Sequence, residues 1–195
     1  MIYNHLKNVL FTKSPYPLIS SKRNLFEWLN IIFNAVDNSR IKEIGPDRAC
    51  AEWLIRNGAS VKWVGVKELF SDYNSLSHQE DSVRACLEEI HATNASLRYN
   101  GFGYFKDLTH LKKIVFKDCQ LIDDRIFPYL EHVKNSLQDL HLISCHSITD
   151  DGILKCTNLT NLKSLYLHDL QGMKFKDKIL TEFQTKLPKC AVDIK

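Results

Sequence analysis

The sequence predicts an α/β protein in which a small N-terminal helical domain precedes a solenoid of short repeats. Two observations lead to this prediction. Apolar residues follow helical spacing between residues 25 and 60, and the sequence after residue 80 repeats itself about every 25 residues. The chain has 195 residues, of which 44% are apolar, and this is enough to bury the core of such a fold.

The first segment, residues 1–24, is basic and contains no acidic residue. Its basic residues are Lys7, Lys13, Lys22 and Arg23, and the first acidic residue of the chain is Glu27. Apolar residues are scattered between these charges, which is typical of a mitochondrial transit peptide, whereas a secretory signal has one continuous apolar block. We therefore predict a mitochondrial transit peptide, or otherwise a disordered leader, over residues 1–24.

The rest of the chain is close to neutral. Without those four basic residues, 22 basic residues face 23 acidic ones. This balance gives no electrostatic case for binding nucleic acid, which normally needs a strongly basic face. The sequence also has no run of 18 or more apolar residues, so no membrane-spanning helix is predicted, although binding to a membrane surface stays open.

Residues 25–80 are predicted to form the helical domain and its capping strand. The first helix covers residues 25–36, with Asn24 as its N-cap and an apolar stripe that we expect in the core. A second, short helix is expected at residues 40–44. This domain is too short to have a core of its own, so it should pack on the repeats.

The third helix has clear start and stop signals. Gly45 breaks the chain before it, and Pro46 supplies the fixed φ that suits a first helical position. Asn57 and Gly58 tolerate the left-handed backbone that ends helices. Residues 60–63 then alternate as a strand, which we expect to cover the edge of the solenoid.

Two sets of residues on this helix have different predicted roles. Trp53 and Leu54 are expected to pack against the repeats. The residues expected to be exposed are Asp47, Arg48, Glu52 and Arg56. Arg48, Glu52 and Arg56 are spaced by four on one helix face, and exposed ion pairs add only about 0 to 1 kcal/mol to stability. We therefore predict that these three residues bind a partner.

The repeats are defined by apolar residues at fixed offsets. From Leu137, apolar residues follow after three, five and eight positions. The other units with these offsets begin at Leu87, Leu111 and Leu162, and a half-unit begins at Leu187. Successive starts are 24, 26, 25 and 25 residues apart, within the range of leucine-rich repeats. Residues 81–195 are therefore predicted to form about four and a half leucine-rich repeats.

The same offsets predict how each unit folds. Offsets three and five lie on one side of a short strand, and offset eight turns inward at a corner, so each unit buries its apolar row against its neighbours. Helical spacing recurs at residues 127–133, 151–159 and 179–187. We expect parallel strands on the inside of the solenoid and helices on the outside.

Acidic pairs occur at the same place in two units, residues 122–124 and 148–151. Such pairs serve as general acid and base or bind divalent cations, but each precedes a predicted helix, where Asp and Thr act as N-caps. We therefore predict capping. No histidine lies in a zinc-protease or nucleophile motif, so the protein is predicted not to be an enzyme.

The six cysteines have no C-x-x-C spacing, so neither a zinc site nor a disulfide framework is predicted. Cys119 and Cys145 share one repeat offset and are expected to be buried as small apolar residues. The C-terminal end is positive, with eight basic and four acidic residues from 155 to 195. This end is either a solvated cap or a docking face for an acidic partner or anionic lipid headgroups.

Several stretches together resemble one family. They are the block FEWLNIIFNAVDNSRIKEIGPDRACAEWLIRNGA, then DYNSL, IHAT, IDD and ISCHSITDDGI. From about Phe26 to the C-terminus the chain resembles mitochondrial ATP synthase subunit s, also called coupling factor B, a family also described as distal membrane arm assembly component 2-like. The resemblance implies a helical domain followed by four and a half leucine-rich repeats, as the residues themselves predict.

The resemblance also implies a function. It implies a non-catalytic regulatory subunit, peripheral to the mitochondrial inner membrane on its matrix side, that binds membrane-sector subunits of ATP synthase and limits proton leak there. A first alternative is an assembly factor for the distal membrane arm of respiratory complex I. A second is a substrate adaptor of a ubiquitin ligase, because repeats of the form C-x-x-I-T-D-x-G-I also resemble those of F-box proteins.

The resemblance further implies a magnesium ion held by Gly58 and Thr93. Carbonyl and hydroxyl oxygens suit this hard cation, with waters completing its shell, but the pair has no carboxylate and should bind weakly. The chain departs from the family pattern at His91, where an acidic residue is usual. It also has Lys117 and Cys119 where mammalian relatives have a Cys-x-Cys dithiol, so dithiol chemistry does not carry over.

Overall fold

We describe the fold from a computed structural model, which covers residues 21–78 and 85–195. The predicted transit peptide or leader therefore lies, up to residue 20, outside the described residues. The structure is an α/β fold: a six-stranded sheet with helices packed against it and a small helical unit at its N-terminal end. Within these two ranges, no helix has both the length and the apolar character needed to cross a membrane.

The strands follow one another across the sheet in the order of the sequence. They are β1 (Ala59–Trp63), β2 (Leu87–Thr93), β3 (Lys113–Lys117), β4 (Asp139–Ile143), β5 (Ser164–His168) and β6 (Ala191–Ile194). Strands β2 to β6 are parallel, whereas β1 pairs antiparallel with β2. The predicted capping strand is thus confirmed, because β1 covers the edge that β2 would otherwise expose.

The strand register aligns the repeated apolar positions. Residues at offset three form one row across β2 to β5, which contains Ile90, Ile114, Leu140 and Leu165. In β6 this row is continued by Val192, which lies at offset five from Leu187. Residues at offset five form a second row two positions further along. All members of both rows from β2 to β5 are fully buried. Each unit therefore buries its strand against its neighbours, as the offsets predict.

Three α-helices precede β1: α1 (Ser21–Phe33), α2 (Asn38–Ile44) and α3 (Pro46–Arg56). The others are α4 (Phe127–Leu130), α5 (Asp150–Lys155) and α6 (Lys176–Lys186). Short 3₁₀ turns lie at Tyr73–His78, Tyr99–Phe105, Asp124–Ile126, Glu131–Val133 and Cys156–Asn158. The helix predicted at 127–133 and the one at 151–159 are each an α-helix continued by a 3₁₀ turn.

The prediction for the first helix is wrong in two respects. Helix α1 begins at Ser21, before the expected N-cap Asn24, and the side chains of Leu25, Ile32 and Phe33 are exposed and do not lie in the core. The residue that directly follows α1, Asn34, is completely buried although it is polar. Apolar spacing alone could not show this, because hydrogen bonds decide which side of this helix faces the body.

Asn34 joins the helical unit to the repeats through a network of hydrogen bonds. Its Nδ2 donates to the Ser96 carbonyl at 2.9 Å and to Asn57 Oδ1 at 3.2 Å. Its Oδ1 accepts from the Arg98 N–H at 2.8 Å and from Trp53 Nε1 at 3.2 Å. A buried amide is stable here because both its donor and its acceptor have partners.

Trp53 lies at the centre of the contact between α3 and the first repeat, as predicted. Its ring stacks on Tyr104 with centroids 5.6 Å apart and meets Phe102 edge-on at 5.5 Å. Gly101 allows this approach, because a Cβ at that position would overlap the Trp53 indole. Aromatic contacts of this kind add about 0.5 to 1.5 kcal/mol each to the free energy of burial.

The predicted capping is confirmed at the first acidic pair and is wrong at the second, where the N-cap residue Thr149 makes no side-chain hydrogen bond to the helix. Asp123 does accept a hydrogen bond from the Arg125 N–H just after it. Asp124, however, accepts from the N–H and the hydroxyl of Thr149, one unit further along the chain. Asp150 likewise accepts from backbone N–H groups of the next unit. These two carboxylates link successive repeat units.

Candidate functional site

Helix α3 is placed by the residues that flank it. Gly45 has φ of +85° and its N–H donates to the Ile41 carbonyl, so it ends α2, and Pro46 then begins α3 without a break. The bends at both ends turn α3 against the sheet. Its buried residues run without interruption from Ala49 to Ile55, so the one charged residue among them, Glu52, lies in the interior.

Glu52 is one of these interior residues, so its predicted exposure is wrong. It is 4% exposed. Arg40 of α2 donates two hydrogen bonds to its carboxylate, from Nε to Oε2 at 3.0 Å and from Nη2 to Oε1 at 2.7 Å. The bond to Glu52 is the main cause that raises the pKa of Arg40. Glu52 therefore joins α2 to α3 and is not open to a partner.

Asp47 and Arg48 also bind within the chain. Asp47 Oδ1 accepts a hydrogen bond of 2.7 Å from the Leu87 N–H, at the start of β2, and burial raises the pKa of this carboxyl. Arg48 Nη2 donates to the Leu76 carbonyl at 2.9 Å, while its Nε lies 4.0 Å from Glu52 Oε1. Both side chains are half-buried, so they are not the exposed charges that the spacing predicted.

Arg56 is the member of the predicted set that is exposed. Its guanidinium carbon lies 5.9 Å from the centroid of the Tyr73 ring, and Tyr73 is itself an exposed side chain. The structure therefore brings Arg48 and Glu52 together in the interior and leaves Arg56 apart at the surface. Binding of a partner by this helix stays a prediction, and it now depends on Arg56.

Arg40 is a residue that reasoning from the sequence did not single out. It donates to Glu43 as well as to Glu52, and so gathers two carboxylates around one guanidinium. The only signal in the sequence was a basic residue in the short α2, next to a helix with an unexplained carboxylate. Nothing in the helical spacing shows that the two helices fold onto each other.

Gly58 and Thr93 do lie next to each other. Ala59 of β1 pairs with Ala92 of β2, so Gly58 and Thr93 are the adjoining residues at this end of the two strands. Both are exposed. The two residues offer only neutral oxygens, and Lys117 pairs with Thr93 on the other side. This set of groups is a poor fit to a hard divalent cation, which favours carboxylates.

The acidic and thiol groups elsewhere in the described residues form no cluster that could hold a metal ion. Residues 21–78 and 85–195 contain no group of three or more His, Cys, Asp or Glu side chains placed to hold a metal ion. Cys119 and Cys145 are fully buried, as predicted. Burial raises the pKa of Cys145 to about 12 and also raises that of Cys119, so both are held as thiols at neutral pH.

Comparison with known proteins identifies the family. Over 191 residues the chain is 36% identical to the rat protein named "ATP synthase subunit s, mitochondrial". The alignment covers 96% of this chain and 95% of the rat protein. The chain belongs to the ATP synthase subunit s family. The cattle member is 35% identical over 192 residues, and the human member is 37% identical over 176 residues, which is 88% of this chain and 87% of that protein.

Membership in the subunit s family agrees with the resemblance found in the N-terminal block and the repeats. The rat and cattle members align over nearly the whole of both chains, so the match includes both the helical unit and the repeat units. A scan against protein-family models found no match.

Proposed function

We propose that this protein is a non-catalytic accessory subunit of mitochondrial ATP synthase. The observation that carries the proposal is identity of 35 to 36% to proteins named as subunit s of that enzyme, along 95% of their length. Their names also support a mitochondrial location. The ubiquitin-ligase alternative has no support from these relatives, and complex I assembly has none either.

We also propose that residues 81–195 form a leucine-rich-repeat solenoid of about four and a half units, with residues 25–80 as its N-terminal domain. The alignment of the buried rows across β2 to β5 supports this classification. A solenoid of this kind is a binding scaffold, because each unit presents the same kind of surface next to that of its neighbour.

The proposed action is to limit proton leak through the membrane sector, from the matrix side of the inner membrane. Arg56 and Tyr73 are the proposed contact with a membrane-sector subunit. Exposed apolar side chains are concentrated in this part of the chain, since seven of the eight large ones in the described ranges lie between residues 25 and 73. Exposed apolar side chains in the part of the chain that holds Arg56 favour a protein partner there.

Inner-membrane vesicles depleted of the native protein provide the test of this action. Adding the wild-type protein should restore ATP-driven acidification of the vesicle interior, and Arg56→Glu should restore much less because it inverts the exposed charge. Lys134→Glu, an equal charge change at an exposed site in the repeats, is the matched control. If the wild-type protein changes neither pumping nor leak, the proposed coupling role is wrong.

Magnesium binding at Gly58 and Thr93 stays a weak proposal. Titration with Mg²⁺, followed by the backbone amide resonances of these two residues, should give saturable shifts that Thr93→Val removes. Shifts of equal size elsewhere on the surface would show general ionic effects only. The coupling role does not depend on this ion.

A further inference from the structure

Phe175 is the most exposed large apolar side chain of residues 21–78 and 85–195, at 63%. It belongs to a run of five exposed residues, 174–178, which we call the KFKDK segment. The segment lies just before and in the first turn of α6, in the last full repeat unit. This is the end of the sheet opposite to the helical unit, so the segment is separate from Arg56 and Tyr73.

The backbone of the segment is held firmly from behind. Asp150, which is only 8% exposed, accepts hydrogen bonds from the Lys174 N–H at 2.9 Å and from the Phe175 N–H at 3.0 Å. Bonds from two adjacent N–H groups to one carboxylate fix the direction of the chain at this point. The fold therefore presents the Phe175 ring to the outside without a further entropy cost of ordering the backbone on binding.

The charges around the ring have one predominant sign. Lys174, Lys176 and Lys178 are all exposed, and Asp177 is the one acidic residue of the segment. None of the ion pairs described for residues 21–78 and 85–195 involves these three lysines, whereas the carboxylate of Glu182 attracts Lys178 at longer range. An aromatic ring between lysines combines an apolar group with cations, and these two groups suit the boundary between lipid headgroups and acyl chains.

We propose that the KFKDK segment binds the surface of an anionic phospholipid membrane. The ammonium groups of its lysines contact headgroup phosphates, and the Phe175 ring enters the layer just below them. Each lysine near such a surface strengthens binding about fivefold. This goes beyond the proposed function, which requires only a protein partner.

Co-sedimentation of the full chain with vesicles tests the proposal without any other protein. One set of vesicles is phosphatidylcholine, and the other contains about a quarter anionic phospholipid. The wild type should bind the anionic set, less so as salt rises. The triple variant K174Q/K176Q/K178Q should bind about 100-fold more weakly and Phe175→Ala several-fold more weakly.

Two matched controls separate binding by the KFKDK segment from general attraction of the protein to the vesicles. K67Q/K106Q/K134Q removes the same charge from exposed lysines elsewhere, and Leu69→Ala shortens an apolar side chain that is 50% exposed at the other end. Both should bind like the wild type. Equal binding to both vesicle sets, or equal losses in the two triple variants, would overturn the proposal. Loss of ATP synthase capture in detergent by K174Q/K176Q/K178Q, with vesicle binding unchanged, would also overturn it and point to an acidic protein partner.

Discussion

Glu52 shows how burial changes the meaning of a charged residue. A carboxylate in the interior is stable only when its oxygens are paired, and Arg40 provides two hydrogen bonds while Arg48 lies further away. The pair fixes the angle between α2 and α3 and so helps to position Arg56 at the surface. On this helix, the buried Glu52 and the exposed Arg56 of the proposed contact are thus only one turn apart.

Removing either member of the buried pair should destabilise the protein. Arg40→Ala leaves Glu52 buried without its main partner, and we expect a loss of about 2 to 3 kcal/mol, below the usual range for buried pairs because Arg40 is partly exposed. Arg56→Ala should change stability by less than about 0.5 kcal/mol. Urea unfolding of both variants measures this, and equal losses would contradict our assignment of roles.

His141 gives the stability a dependence on pH. Burial is the main cause that lowers its pKa below the ordinary 6.5, and Lys113 lowers it further, whereas Asp139 acts in the opposite direction and His91 is a weaker cationic neighbour. The folded state therefore favours the neutral ring. The contribution of His141 to the free energy of unfolding is complete above pH 6.5. It is lost as pH falls from there towards the lowered pKa.

The variant His141→Gln should remove this contribution. Between pH 8 and pH 5 the wild type should lose more free energy of unfolding than the variant does, with the difference appearing below about pH 6.5. Denaturant titrations at a series of pH values measure the difference. A variant whose stability falls in parallel with that of the wild type over this range would show that the His141 pKa is not lowered.

At the level of elements, the repeat units are joined in two ways. Their strands share backbone hydrogen bonds in the sheet, and on the helical side Asp124 and Asp150 each bond to the unit that follows. Gly152 is required beside the first of these links, because a Cβ there would meet Asp124. The turns before the helices are therefore fixed from outside their own unit.

Asp150 and its neighbour Asp151 allow a direct comparison. Asp150→Ala leaves the N–H groups of Lys174 and Phe175 without their acceptor, and we expect a loss of about 2 to 3 kcal/mol because the acceptor is charged and nearly buried. Asp151 is exposed, so Asp151→Ala should stay within about 0.5 kcal/mol of the wild type. Thermal unfolding separates the two, and a smaller loss for Asp150→Ala would contradict the link.

The sequence predicted elements better than it predicted contacts between them. The repeat offsets identify β3 to β5 because leucine-like residues recur wherever a strand faces the core, and Gly45 and Pro46 mark a helix boundary through backbone geometry alone. Contacts such as Arg40 with Glu52 depend on how helices cross, which no local spacing records. For the same reason the spacing grouped Arg48, Glu52 and Arg56 as one exposed set, whereas the structure buries Glu52 and leaves Arg56 apart at the surface.

At the scale of the whole molecule, the two ends of the sheet differ. The N-terminal end has the helical unit, most of the exposed apolar side chains and Arg56, whereas the C-terminal end has β6 and the KFKDK segment. A protein partner at one end and a membrane surface at the other would hold the molecule between ATP synthase and the lipid.

The central claim is that this protein associates with ATP synthase. Cross-linking in intact mitochondria, followed by capture of a tagged copy and quantification of the attached subunits, tests it most directly. We expect membrane-sector subunits of ATP synthase to be enriched over those of complex I, and Arg56→Glu to reduce that enrichment. Capture of complex I arm subunits or assembly intermediates, without enrichment of ATP synthase, would contradict the claim.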